Sequence, residues 1–215
     1  EDASADPCDG PGRVELYTDL KDRGKQATLR GEFREAMVFY TRARQLAHSD
    51  GPPERIDEAD LNVAMVLIQM GEARKGEEGL REILLRTRDK RIGVAAAYNL
   101  ASSLRKQGRL ERAMTYAQRA LERTAGLDAV DCRAMIHNLI GNLHLGQTYL
   151  EEALAEYRKA LALRESQEGD TRYSRATASA LATKISKRLK HTTSSNRSST
   201  ASSTNPASSR PWRWP

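Results

Sequence analysis

The chain has 215 residues, 39% of them hydrophobic, and a mean hydropathy of −0.68, which reads as a soluble protein of one ordinary domain or one repeat array. The net charge of +6 sits at one end: residues 1–170 carry a net −3, while residues 171–215 carry +9 with no acidic side chain. The body is therefore near neutral, and its charge gives no ground for a nucleic-acid partner of the repeats.

Residues 1–13 are polar and acidic and are expected to be disordered; opening at Glu1 rather than Met, the chain reads as a processed product or a piece of something longer. From residue 14 a pattern sets in. Small residues recur as Gly24, Ala36 and Ala43, then Ala64, Gly76 and the larger Ile83, then Ala101, Ala113 and Ala120, then Gly141, Ala153 and Ala160, each set with gaps of twelve and seven. Twelve residues suit a helix, a tight turn and a second antiparallel helix that meets the first where side chains are smallest. Gly31, Gly71, Gly108 and, two residues early, Gly146 mark the turns, where glycine takes a left-handed conformation at little cost. Amphipathic stripes follow each turn, with Phe33, Leu110 and Leu150 before the second small residue and Tyr40, Leu80 and Tyr157 after it. Loops are expected at 49–53, 87–91, 124–128 and 166–170. Residues 171–190 form the first half of a fifth unit, a lone helix suited to covering the fourth hairpin. The remaining 191–215 hold twelve Ser or Thr in 25 residues and both tryptophans, Trp212 and Trp214, and are expected to be disordered. This end reads either as a basic aromatic tip for an anionic membrane or nucleic acid, or as an unselected, out-of-frame end; the loss of every acidic residue and the broken repeat favour the second.

The stretches "NLASSLRKQGRLERAMTYAQRALE" (99–122) and "GNLHLGQTYLEEALAEYRKALAL" (141–163) resemble the tetratricopeptide repeat family, and the resemblance extends over residues 14 to 165 with a partial unit beyond. Units recur every 40, 37 and 40 residues rather than the family's usual 34, and no Trp stands near the start of a first helix; units of this length look like those of kinesin light chains and bacterial regulatory arrays. The resemblance implies an all-α, right-handed superhelical solenoid over 14–190, made of four helical hairpins plus a terminal helix. It implies a non-catalytic, cytoplasmic scaffold for a protein or extended peptide, with no cofactor. The alternative is the sensor or regulatory portion of a larger transcription regulator or signalling kinase.

In the family, one arc of each first helix lines a concave groove that holds a peptide. At 100° per residue, the candidate peptide-binding residues on that arc are Lys21, Lys25, Asn62, Met65, Tyr98, Asn99, Arg105, Asn138 and Asn142, with Leu61, Ile68 and Leu139 beside them. An asparagine amide both donates and accepts, so a row of them can bond a peptide backbone without demanding a sequence. Lys21, Lys25 and Arg105 suit an acidic ligand. Lys21 and Asn62 stand where the carboxylate clamp of chaperone-binding relatives has a Lys and an Asn, but Lys25, Ala95 and Asn99 depart from it, so chaperone-tail specificity is not expected. The packing arc carries Leu20, Val63, Leu100 and Ile140, together with Arg23, Asp60, His137 and His144.

Other chemistry is not written here. In "GEARKGEEG" (71–79), Glu77 and Glu78 stand where a phosphate loop needs Lys and Ser or Thr. His137 and His144 read as packing histidines rather than a metal pair. Two cysteines, Cys8 and Cys132, exclude a disulfide framework, and two free thiols in a reducing cytosol are the simplest reading. The longest apolar stretch, residues 63–68, is too short to span a membrane.

Overall fold

The computed structural model describes residues 11–165, so the extreme N-terminal lead with Cys8, the 166–170 loop, the lone helix at 171–190 and the 191–215 tail lie outside the described residues. Eight α-helices and no strand occur among the described residues: α1 (Pro11–Arg30), α2 (Phe33–Asp50), α3 (Pro53–Gln69), α4 (Ala73–Arg86), α5 (Lys90–Lys106), α6 (Leu110–Arg123), α7 (Val130–Gly146) and α8 (Leu150–Glu165). Pro11 and Pro53 stand at helix starts, where a missing N–H costs nothing. Asp89 caps α5, accepting from the backbone N–H of Arg91 at 2.6 Å and of Ile92 at 3.3 Å.

Each odd helix packs on the even helix that follows it, and each hairpin packs on the next through α2 on α3, α4 on α5 and α6 on α7. First helices also touch one another, α3 with α5 and α5 with α7, so they form one layer of an α-solenoid. The expected small residues lie in the hairpin interfaces: Ala36, Ala101, Ala113, Ala120, Ala153 and Ala160 are all fully buried. Gly24 and Gly141 exist because a tyrosine ring takes their Cβ space. A Cβ on either would lie 2.7 Å from the ring of Tyr40 or Tyr157.

All four turns inside hairpins are built alike. Gly31, Gly71 and Gly108 have φ of 79°, 89° and 74°, and each donates its N–H to the carbonyl three residues back while the following residue donates five back. This satisfies two orphan carbonyls at each helix end. The fourth turn corrects the sequence reading. Gly146 remains helical, and the left-handed residue is Thr148, with φ 66° and the same pair of bonds, to Leu145 O at 3.1 Å and from Tyr149 N to His144 O at 2.9 Å.

The core runs without a break from Leu61 and Leu80 through Leu100 and Leu104 to Ile136 and Leu143 on α7, while Ala153, Leu154 and Tyr157 of α8 form a separate cluster. The first hairpin instead contributes two separate clusters, one around Tyr17, Leu20 and Ala43, the other around Ala27, Ala36 and Tyr40. Two expectations about faces change here. Leu61 and Leu139, placed on the groove arc, are core residues, because neighbouring first helices close over them. Arg23, placed on the packing arc, is exposed and ion-paired to Asp19 at 3.0 Å on the open side of α1.

Candidate functional site

The layer of first helices carries every candidate binding residue. Met65 and Tyr98 are half-buried and rest on the central core. Asn62 and Asn138 are half-buried. Lys25 is fully on the surface.

Several of the others already have partners. Lys21 Nζ bonds Glu58 Oε1 at 3.1 Å and lies 5.7 Å from the Tyr17 ring, so its charge ties α1 to α3. Glu58 also accepts from the Tyr17 hydroxyl at 2.9 Å, and burial, with that carboxylate beside it, pushes the Tyr17 phenol up. Asn99 turns its amide back to Ala95 O at 2.8 Å. Asn142 Oδ1 accepts from the Tyr157 hydroxyl at 2.9 Å, and burial raises that phenol to about 12.

Arg105 is different. It stands half-buried in the last turn of α5, close enough for its charge to act on both Tyr98 and Tyr157. Burial raises the Tyr98 phenol, and the charges of Arg105 and Arg164 oppose that rise. The Nε of Arg105 is itself buried with no hydrogen-bond partner among the described residues. Three elements thus bring Tyr98 and Arg105 (α5), Asn142 (α7) and Tyr157 (α8) to the junction of the third and fourth hairpins.

Two polar networks escaped sequence reasoning. Asp60, on α3, has Arg44 Nε of α2 at 2.7 Å and His48 Nε2 at 3.0 Å from Oδ1, while Arg86 of α4 bonds both Asp60 and, at 2.7 Å, Asp57. Burial alone would raise the Asp60 carboxyl, but the hydrogen bonds from Arg86 and His48 and the Arg44 charge hold it below its ordinary value. Glu77 of α4, 2% exposed, accepts from Ser103 Oγ at 2.9 Å, from Gln107 and from Arg81 at 3.1 Å. The signal for the second network was present: the same unit position holds Met37, Met114 and Leu154 elsewhere. His137, on the packing arc, pairs with Glu156 at 2.7 Å, and His144 lies against Tyr149 with ring centroids 6.3 Å apart.

Residues 93–166, from α5 to the end of α8, match the family profile of the tetratricopeptide repeat. Tetratricopeptide repeats thus occupy residues 93–166, the third and fourth hairpins. No curated relative matches it. Among solved structures, BtubC (BKLC) from P. vanneervenii is similar at 19% identity and a TM-score of 0.64, over 94% of this chain and 88% of that one. The Pseudomonas aeruginosa pilF structure gives 19% and 0.64, over 84% of this chain and 72% of its own. A Podosopora anserina protein of nearly identical TPR-like repeats, given as a kinesin light chain, gives 12% and 0.65 over 87% and 92%. At these identities the likeness is one of fold alone. Tetratricopeptide arrays generally mediate protein–protein interaction, and among the described residues no helix is long and apolar enough to cross a membrane.

Proposed function

We propose that this tetratricopeptide array is a non-catalytic scaffold that holds an extended, acidic peptide along its first helices, with the junction of hairpins three and four taking the anionic group. Arg105 carries the reading. A guanidinium N–H buried without an acceptor is costly, and a ligand carboxylate reaching it removes that cost. Tyr98 offers a stacking face next to it, and Asn138 offers an amide on the neighbouring helix for the peptide backbone. Lys21 contributes less than its place on the arc suggests, because Glu58 already neutralises it. The repeat spacing supports placing the chain among long-unit arrays, and the exposed thiol of Cys132 suits a reducing cytosol.

The test is titration of an arrayed set of acidic and neutral extended peptides against the full chain. Arg105→Gln should weaken acidic peptides about tenfold, as loss of one charge-assisted hydrogen bond predicts, and should flatten the salt dependence. Asn138→Ala should weaken acidic and neutral peptides alike, by about 0.5–1.5 kcal/mol, and Lys21→Gln should change little. If Arg119→Glu or Arg158→Glu on the second helices abolishes binding while Arg105→Gln leaves it intact, the ligand lies on the outer face and the reading is wrong.

A further inference from the structure

Between α2 and α4, above α3, lies a notch of about 260 Å³ on the opposite layer from the proposed groove. Its floor is apolar, formed by Val63, Leu67 and Ile83, and Gly79 forms part of its wall. The repeat explains why it is open. The position of Gly79 is held by Phe39, Tyr116 and Glu156 in the other units. Phe39 and Tyr116 pack on core clusters, and Glu156 pairs with His137. Only the second unit omits that side chain, although a Cβ on Gly79 would meet nothing closer than Ala64 Cβ at 3.4 Å, an ordinary contact. The space left by Gly79 is therefore one that an aromatic ring fills one hairpin further on.

Charge narrows the occupant. The cations at the rim already have partners: Arg44 and Arg86 on Asp60 and Asp57, and Lys75 on Glu72 at 2.6 Å. Glu78 and Glu82, on successive turns of α4 at the same rim, are exposed and have no cation partner among the described residues. The notch thus asks for an aromatic side chain next to a positive charge. Two segments beyond Glu165 have that chemistry, "TRYSR" at 171–175 and "RPWRWP" at 210–215; the first is only a few residues past Glu165, too short a tether to reach back two hairpins, and the second holds both tryptophans. The 44 residues between Glu165 and Arg210 would span about 66 Å even as continuous helix. With neighbouring helices about 8–10 Å apart, a notch two hairpins back from α8 is within that reach.

We propose that the notch is an intramolecular docking site for this tip, with an indole on the Val63–Leu67–Ile83 floor and Arg210 or Arg213 at Glu78 and Glu82. A tip meant for an anionic membrane or for nucleic acid would instead stand in solvent.

Because Trp212 and Trp214 are the only tryptophans, the intrinsic emission of the full chain reports on the tip alone. Docking gives emission blue-shifted from, and less quenched by acrylamide than, a synthetic peptide of residues 207–215. Gly79→Tyr fills the notch and should return the emission to that of the peptide without lowering the melting temperature, which separates blocking from unfolding. Glu78→Lys with Glu82→Lys, on exposed positions, should do the same by charge reversal. Emission of the full chain that matches the free peptide overturns the proposal, as does a blue shift that survives both variants. A shift that appears only as protein concentration rises also overturns it, since the site is assigned within one chain.

Discussion

At the scale of single residues, the sequence shows where side chains are small but not what each small residue accommodates. In the first and fourth hairpins, the first small residue faces the ring sixteen positions on: Gly24 with Tyr40 and Gly141 with Tyr157. Glycine stands where the residue sixteen on is tyrosine, and alanine where it is Leu80 or Ala117, so the ring takes the space that a methyl occupies in the other units. Gly141→Ala should therefore cost about 1–3 kcal/mol, because the added methyl meets the fully buried Tyr157 ring. Thermal melting reads it, and an unchanged midpoint would mean that the ring turns aside. Thr148→Gly should act in the opposite direction. A β-branched residue at φ 66° is strained by about 1–2 kcal/mol, part of which glycine returns as unfolded-state entropy, leaving a gain of about 0.5–1 kcal/mol. Thr148 was not legible as a turn residue because threonine gives no left-handed signal, whereas Gly146 nearby does. The binding residues were legible only as positions on an arc. That Lys21 is occupied by Glu58, 37 residues away, and Asn142 by Tyr157, 15 away, depends on what a neighbouring helix presents, which angular sorting on one helix does not contain.

At the scale of helices, the three joints between hairpins differ in chemistry. The joint between α4 and α5 replaces an apolar contact by a polar one: Glu77 stands where other units have Met37, Met114 or Leu154, and Ser103 where they have Val66 or Leu143. A buried carboxylate held by hydroxyl, amide and guanidinium groups is costly to break from one side and nearly neutral to replace from both. Ser103→Val alone should destabilise by about 1–3 kcal/mol, since Glu77 loses a partner at 2% exposure. Glu77→Met together with Ser103→Val should recover most of that loss, by restoring the apolar pair that the other units use. Urea unfolding of the two single variants and the double variant measures the coupling. Additive losses would show that the pair is not one unit. The network also bears on register, because a carboxylate at this joint matches only the polar groups of α5 and not the apolar surface that α3 or α7 offers at the same position.

At the scale of the whole molecule, fold class and repeat frame were legible because four copies in one register leave only one way to bury their stripes. The unequal strength of the array was not, since it follows from which clusters merge across joints. Hairpins two and three and α7 share one continuous core and α8 adds a cluster of its own, whereas the first hairpin is held by smaller clusters and by the ionic group of Arg44, His48, Asp57, Asp60 and Arg86. That makes the first hairpin the acid-sensitive end. The folded Asp60 carboxyl lies below the 3.8 of an ordinary aspartate, so the unfolded chain binds its proton first as pH falls. Its contribution is complete above pH ~4 and is lost as pH drops through the folded value. Glu156, held below its ordinary value by His137 and Lys159 against the effect of burial, loses its contribution in the same direction, but within the fourth hairpin. Hydrogen exchange followed from pH 6 to pH 3 should therefore show α1 and α2 losing protection before α5 and α6. Asp60→Asn should cost about 1–2 kcal/mol at neutral pH, by removing the negative charge that Arg44 and Arg86 share and one of its two acceptor oxygens, and should reduce the steepness of the acid loss in α1 and α2. If all eight helices lose protection together in the wild type, or if Asp60→Asn leaves the acid profile of the first hairpin unchanged, then the ionic joint is not what sets the order of opening.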